Sequence, residues 1–477
     1  MFLCRLSIHD FAGKTRAGSD KIKNQHKQTM KAFRIFLAAI AILINCNQAS
    51  AAVSFLIDGK EVPKTKILLL GFDAAEPQLQ SDISEVVGRI RKNLSTTNLF
   101  EIIQQAGQAN ASGDLMGDLI SATAIETAPD FAKYSKIGVG AVVIASFSYN
   151  VEGSLEAKIR MWDVLDQRQL FGKFYSSSKN NYKKMSSLIS DEIFKSITGE
   201  KVGHFNSQIL YVSESGSVRS LTKKINVIDF DGENKLALTD GRGLVLTPIF
   251  SKKRDEIFYL SYADGLPQIY NLNIKTLKNK KIGNFNGTTF APAVHPKDPN
   301  VILLSAIIGG NSDIYEMNML TNTAKRLTKN AGIDTTPAYS PDAKMIAFAS
   351  DRDSGQQLYV MDFRGDSVRR VSFGGGSYSK PMWSPDGTLI AFTKIKANQF
   401  HIGMMSPNNK GERILVSGYL LEGVKWSPNG RYLIYSKKKS QYGLTSIPRL
   451  FIIDIVTGFE FEVPTPNEEG ATDPDWV

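Results

Sequence analysis

A twelve-residue phrase recurs at nearly constant spacing through the C-terminal part of the chain, and it limits the possible folds more than any other feature. "PMWSPDGTLIAF" begins at Pro381, "PAYSPDAKMIAF" at Pro337 and "VKWSPNGRYLIY" at Val424. Weaker copies begin at Pro292 ("PAVHPKDPNVILL") and Pro248 ("PIFSKKRDEIFYL"), and the chain ends on "PDWV" from Pro474. The start-to-start spacings are 44, 45, 44, 43 and 50 residues. A period of about 40–45 residues built only from strand-like segments marks the blades of a β-propeller.

Each repeat has the same internal order. In the copy at 381, "PMWS" reads as a short first strand and "PDG" as the turn. "TLIAFTK", "QFHIGMMS" and "ERILVS" follow as second, third and fourth strands. Second strands begin near Ile209, Ile257, Val301, Met345, Leu389 and Tyr432. First strands begin at Pro248, Pro292, Pro337, Pro381, Val424 and Pro474. Both series have six members, but they are out of phase. The unit starting at Ile209 lacks its own first strand, and "PDWV" has no followers. The C-terminal strand, with Pro474 and Trp476, is therefore expected to complete the first blade. Closure of this kind removes sheet edges that would otherwise template aggregation.

The repeated aspartates invite a metal or acid–base reading, which the pattern opposes. In S-P-D-G the proline fixes φ, the aspartate bonds the local backbone and the glycine accepts positive φ. Asp342 and Asp386 become Asn429 in the next copy, and "SKKRD" has no equivalent. Such free variation suits a turn and not a ligand set. Trp383, Trp426 and Trp476 share one repeat position and are expected to pack between blades. Gly138-x-Gly140 lacks the third glycine of a dinucleotide fingerprint, and no G-x-x-x-x-G-K-[ST] or G-x-S-x-G occurs. His204, His295 and His401 lie far apart. No catalytic residue, cofactor or metal is expected. Lys437–Lys439 reads as a solvated hairpin tip.

The other end of the chain carries an export pattern. Lys31 and Arg34 precede an apolar run from Ile35 to Ile44, and Ala49-Ser50-Ala51 follows. This reads as a signal peptide cleaved near Ala51, because the run is too short for a membrane span. Residues 1–29 read as an upstream extension. Cys4 and Cys46 are the two cysteines. The residues before Cys46 lack the small side chain expected ahead of a lipidated cysteine. A chain starting near Ala52 would then hold no disulfide or thiolate metal site. It would also keep 49 Lys/Arg against 45 Asp/Glu, a balance that offers little to nucleic acid.

Residues 52–200 alternate strand and helix patterns. "VSFLI" (53–57), "KILLLGF" (66–72), "LFEII" and "GAVVIASFSY" (140–149) read as strands. Residues 81–97 place Ile83, Val86, Val87, Ile90 and Leu94 on one helical face, with Ser81 as N-cap. Residues 127–137 read as a second helix, and 182–199 as an amphipathic helix closed by Gly199. Leu155, Ala157, Ile159 and Met161 alternate with polar neighbours, as in a half-buried antiparallel strand. The expected fold is therefore an α+β two-domain protein. A leader (1–51) precedes a small α/β domain (52–200) with an exposed N-terminal strand, followed by a six-bladed propeller (201–477).

This order of leader, small α/β domain and propeller with P-x-W-S-P-D-G repeats resembles the TolB family, periplasmic components of the Tol–Pal envelope system. "GVGAVVIASFSYNVEGSLEAKIRMWDV" and "SDEIFKSITGEKVGHFNSQILYVSES" carry the resemblance outside the repeats. It implies a non-enzymatic periplasmic adaptor serving outer-membrane integrity and envelope constriction at cell division. The implied partners are the peptidoglycan-associated lipoprotein Pal, bound at the propeller, and TolA, bound by the mature N-terminal segment. That segment matches Val53, Ser54, Phe55, Leu56, Ile57, Asp58 and Gly59 here, an apolar strand suited to adding to a partner's sheet edge. It is equally suited to a sheet of its own domain, and the two states can alternate. For Pal, the segments entering the first strands are the expected face: Thr289, Phe290, Asp334, Thr335, Tyr378, Ser379, Thr472 and Asp473. The competing readings are a ligand- or carbohydrate-binding propeller and a degenerate relative of propeller-type peptidases.

Overall fold

The computed structural model describes residues 54–56 (backbone only), 63–71, 76–104, 125–217, 220–408, 411–439 and 447–477. Residues 52–477 form one compact unit. The leader expected over 1–51 lies outside the described residues, as do Val53, Ile57, Asp58 and Gly59.

After β1 (Ser54–Leu56), five strands form the sheet of the α/β part: β2 (Thr65–Leu70), β3 (Phe100–Gln104), β4 (Ala141–Tyr149), β5 (Leu155–Asp163) and β6 (Arg168–Ser177). Their order is β3-β2-β4-β5-β6. β2 runs parallel to β3 and β4, and β4, β5 and β6 form an antiparallel meander. Helices α1 (Pro77–Thr96) and α3 (Tyr182–Thr198) pack together over the face made by Ile67, Leu69, Val143, Ala157 and Ile159. The helical face read from the sequence is the buried one, with Ile83, Val86, Ile90 and Leu94 at most 1% exposed.

Two helix ends differ from expectation. Helix α1 starts with Pro77 in its first turn and Glu76 as N-cap, so Ser81 sits inside the helix. Proline suits that position because its missing N–H would have no partner there. The helix α2 is confined to Phe131–Lys136, and the Asp130 carboxylate accepts the Lys133 N–H at 3.1 Å. Gly199 ends α3 with φ 76°, the left-handed value expected of a helix-closing glycine.

Polar pins hold the helices in place. The Asp82 carboxylate, nearly buried on α1, accepts hydroxyls from Tyr149 (2.9 Å) and Tyr182 (2.8 Å). Burial alone would raise its pKa, but these bonds and the Lys179 charge outweigh burial and lower it. Asn93 donates to the Ser190 hydroxyl at 3.2 Å, tying α1 to α3.

Six four-stranded antiparallel blades follow. From inside to outside, blade 1 is Gly470–Trp476, Gln208–Ser215, Thr222–Asp229 and Leu236–Ala237. The C-terminal strand is its innermost member, so the ring closes as the phase mismatch required. The innermost strands of blades 2 to 6 are Val245–Phe250, Thr288–Val294, Asp334–Tyr339, Ser377–Trp383 and Leu420–Trp426. Each begins three or four residues earlier than the sequence suggested. The cause is a β-bulge repeated in all six blades, located by register shifts such as Leu246/Ile249 and Ser379/Met382. At each bulge Thr247, Ala291, Thr336, Lys380, Gly423 or Asp473 has positive φ, between 45° and 69°. Proline follows in five of the six, and a bulge allows a residue without an N–H to sit inside a strand. The six bulges surround a central cavity of about 100 Å³.

Closure is also made by side chains. Asp473 accepts the Thr247 N–H of blade 2 (3.2 Å) and lies 3.9 Å from Lys380 of blade 5. Asp475 accepts the Phe250 N–H (2.9 Å) and pairs with Lys425 of blade 6 (3.3 Å). Trp476 is 5% exposed, stacks on Phe230 at 5.8 Å and donates its indole N–H to the Ser207 hydroxyl at 2.7 Å.

Candidate partner-binding surfaces

Strand direction fixes which loops share a face of the ring. The turn between a blade's first and second strands lies on the same face as the turn between its third and fourth. The second-to-third turns and the blade-to-blade connections lie on the opposite face. The α/β part occupies the first of these faces over blades 1 and 6. Lys183 pairs with Asp229 (2.9 Å) and Asp231 (2.8 Å), and Arg89 with Glu233 (2.9 Å), all at the outer turn of blade 1. Arg431, in the first turn of blade 6, lies 3.6 Å from Glu200.

The seam beneath these ion pairs is aromatic. His204 is 1% exposed and touches Phe194 of α3, Phe205, Phe230 of blade 1 and Tyr432 of blade 6, at ring separations of 4.1–5.2 Å. Asn429 stands 3.4 Å from its Nδ1. The buried Asp191 carboxylate accepts the N–H groups of His204, Phe205 and Asn206. Burial, followed by the Arg431 charge, lowers the His204 pKa to about 3, so the imidazole is neutral. The one turn with Asn in place of Asp is thus the turn that faces this neutral ring.

The other turn aspartates act on their own backbone. Asp342 accepts from the Ser340 hydroxyl (2.6 Å) and the Lys344 N–H (3.0 Å), and Asp386 from the Ser384 hydroxyl (2.5 Å) and the Thr388 N–H (3.1 Å). Among the described residues no cluster of His, Cys, Asp or Glu could hold a metal ion. The bulky repeat position packs between blades, and Trp426 donates its indole N–H to the Met382 carbonyl of blade 5 at 2.9 Å. Lys437 and Lys438 lie within a strand rather than at a tip. Lys437 pairs with Glu460 at 2.6 Å and Lys439 lies 3.6 Å from Glu462.

The residues singled out ahead of the first strands lie inside those strands, and several have buried side chains. Thr289, Asp334 and Tyr378 are 0% exposed and Thr335 is 9% exposed. Asp334 accepts both Arg352 contacts at 2.8 and 2.9 Å. Tyr378 donates to Glu412 at 2.6 Å, and Glu412 pairs with the equally buried Lys394 at 2.5 Å. In this conformation these four side chains are closed to a partner: Asp334 and Tyr378 are bonded within their own blades, and Thr289 accepts the Ile269 N–H of the preceding blade. Phe290, Ser379, Thr472 and Asp473 keep partial exposure, with Asp473 committed to ring closure. What the sequence reading missed on this face is a set of exposed apolar side chains in the neighbouring turns and connections. They include Tyr262, Leu266, Ile308, Ile333, Ile395 and Tyr419, each 37–59% exposed.

Strand β1 does not join the sheet of the α/β part. It runs parallel to the fourth strand of blade 5, Glu412–Gly418, with Ser54, Phe55 and Leu56 opposite Glu412, Arg413 and Ile414. That outer strand has seven residues, whereas those of the other blades have two to four. Blade 5 thus offers the longest outer edge. A bulge between the third and fourth strands at Ile402/Gly403 leaves Leu415 as the extra residue, just beyond the last described pair.

The propeller of residues 194–477 matches the model of the TolB beta propeller domain, and residues 54–170 match that of the TolB amino-terminal domain. The chain belongs to the TolB family. The Tol-Pal system protein TolB of Rickettsia bellii (strain OSU 85-389) is 36% identical over 447 residues, covering 92% of this chain and 97% of the relative. That of Gluconobacter oxydans (strain 621H) is 35% identical over 395 residues, 82% of each chain. The crystal structure of TolB from Acinetobacter baumannii superposes with a TM-score of 0.73 at 24% identity, covering 88% of this chain and 98% of that one. It shares the fold of propeller and α/β part. Membership in TolB makes this a non-catalytic component of the Tol–Pal system.

Proposed function

We propose that this TolB chain is a periplasmic adaptor, exported by the leader that ends near Ala51. It would bind Pal on the ring face remote from the α/β part and TolA through residues 53–59, in support of outer-membrane integrity and constriction at division. The observation that carries the proposal is the seat of β1. It is a strand already added to a sheet edge, with Ser54, Phe55 and Leu56 paired to Glu412, Arg413 and Ile414 and an irregularity of that edge just beyond them. A strand added to an open sheet edge can exchange for pairing on a partner's sheet. The exposed apolar residues around Tyr262, Ile333 and Tyr419 supply a second surface, with Phe290, Ser379 and Thr472 at its inner margin.

Co-purification from envelope extract, with and without residues 53–60, tests both parts. The expected result is recovery of Pal with either form and loss of TolA only with the truncated one. Retention of TolA after truncation would refute the role of the segment. Unchanged Pal recovery with Tyr262→Asp, Ile333→Asp and Tyr419→Asp combined would refute the choice of face.

One observation favours the alternative of a ligand-binding propeller. The outer strand of blade 1 has two residues, and beside it a groove of about 780 Å³ opens between Lys224, Asp240 and Arg242 on one side and Tyr259, Ser261 and Asn279 on the other. Its size suits a small ligand.

A further inference from the structure

We propose that the ring face bearing the α/β part makes, over blades 2 to 4, a direct contact with a bilayer surface rich in anionic phospholipid. The contact would be separate from any protein partner. Two observations coincide on this face.

The first is charge. Blade 2, residues 245–283, contains seven Lys/Arg and three Asp/Glu. Its net charge of +4 equals that of the whole chain after residue 51, so the modest overall balance conceals one strongly basic blade. Lys252, Lys253 and Arg254 occupy its first turn, and Lys275 and Lys278 flank its outer turn, all exposed. Lys280 and Lys281 continue along its outer strand. Among the described residues none of the seven makes an ion pair. Strand direction places both turns on the same face, so five of these cations point the same way. The turns of blades 2 to 4 on this face also hold Asp255, Asp298, Asp342, Asp362 and Asp366, of which Asp342 and Asp362 are engaged by their own turns.

The second is apolar. The outer turns of blades 2, 3 and 4 carry Leu277, Leu320 and Phe363 near their tips, with exposures of 51%, 75% and 46%. All three lie on the same ring face as the blade 2 cations. Arg364 stands over the Phe363 ring at 5.3 Å, so this apolar tip carries a cation on its face. The corresponding turn of blade 1 adjoins the α/β part and is acidic, with Asp229, Asp231 and Glu233 consumed by Arg89 and Lys183.

Protruding apolar tips beside a cluster of unpaired cations form the signature of an interfacial contact. The tips enter the headgroup boundary while lysines meet anionic headgroups. An acidic protein would use the charges but would leave three separate apolar tips without a purpose.

The test is sedimentation of residues 52–477 with vesicles of phosphatidylcholine alone or mixed with phosphatidylglycerol, with no other envelope protein present, so the outcome is independent of the roles proposed for Pal and TolA. The expected result is binding to the anionic vesicles that falls steeply from about 0.1 M to about 1 M salt, as the screening length shrinks from about 10 Å to about 3 Å. Lys252→Glu, Lys253→Glu, Lys275→Glu and Lys278→Glu combined should lower partitioning roughly tenfold or more. Leu277→Ser, Leu320→Ser and Phe363→Ser combined should lower it at unchanged salt dependence. Both sets change exposed side chains, and an unchanged melting midpoint would show that they fold. Absence of binding to anionic vesicles at low salt would overturn the proposal. Binding to an acidic polypeptide without vesicle binding would overturn it in favour of a protein partner, and full vesicle binding by the serine variant would overturn the role of the tips.

Discussion

Acidification should loosen the seam between the α/β part and the propeller, and the effect can be calculated from one side chain. His204 has a pKa of about 3 in the folded protein, against an ordinary value of 6.5. A histidine with a depressed folded pKa binds a proton more readily when unfolded. Its contribution is therefore fully present above pH 6.5 and is lost as pH falls toward 3. Between about pH 7.5 and about pH 5 the loss amounts to about 2 kcal/mol, since each pKa unit is worth about 1.4 kcal/mol. The group cannot relax cheaply, because its Nε2 is buried without a partner among aromatic rings. Asp191 works in the opposite sense. Burial raises its pKa despite three N–H donors, so its contribution is greatest below its ordinary value of 3.8 and is lost as pH rises through the folded value. Urea unfolding of residues 52–477 at both pH values, for the wild type and His204→Phe, separates the two, because Asp191 is common to both proteins. The wild type should lose about 2 kcal/mol more than the variant. Equal losses would refute the assignment of a neutral, buried His204.

Trp476→Ala should cost about 3–5 kcal/mol, the range for emptying a large buried aromatic site, and deletion of residues 474–477 should cost more; an unchanged melting midpoint in either protein would remove side-chain closure of the ring. Lys394→Met should lower stability by about 3–5 kcal/mol by leaving Glu412 buried without its cation, and Lys394→Met with Glu412→Gln should recover much of the loss; denaturant titration of the single and double variants measures both. Gly423→Ala is expected to destabilise although it adds one methyl group, because φ is 69° and the new carbon would lie 2.9 Å from Pro474 Cδ; a midpoint equal to wild type would show that the bulge relaxes. Phe55→Cys with Arg413→Cys joins opposed positions of the added strand, and in a chain that otherwise lacks cysteine after residue 51 an intramolecular cross-link is expected on oxidation. Its absence would refute the register of β1.

Much of the ring was legible in the sequence because each blade repeats one local problem. Alternating apolar residues make a strand, S-P-D-G turns it, and the same solution returns every 44 residues or so. The counting of first and second strands even revealed closure, since a strand without followers and a blade without a first strand fit each other. The helical faces of α1 and α3 were legible for the same reason, through their 3.6-residue period. Strand β6 was not, because a solvated edge strand such as Arg168–Ser177 alternates weakly.

The candidate surfaces were harder to read. Tyr378 and Asp334 looked like loop residues because proline appeared to start each strand. Only the paired neighbour strand shows that a bulge carries the strand through the proline and turns those side chains inward. Ser54–Leu56 is an apolar strand by sequence, but its choice of blade 5 depends on the length of an outer edge more than 350 residues away. The tips at Leu277, Leu320 and Phe363 are separated by over 40 residues each and become one surface when the blades stand side by side. The sequence alone therefore determined the repeat, the turns and the number of blades, all of which follow from local periodicity. The tertiary structure decided which side chains are buried pins, which edge receives the first strand and which face gathers the blade 2 cations, because these depend on what packs against each segment from distant parts of the chain.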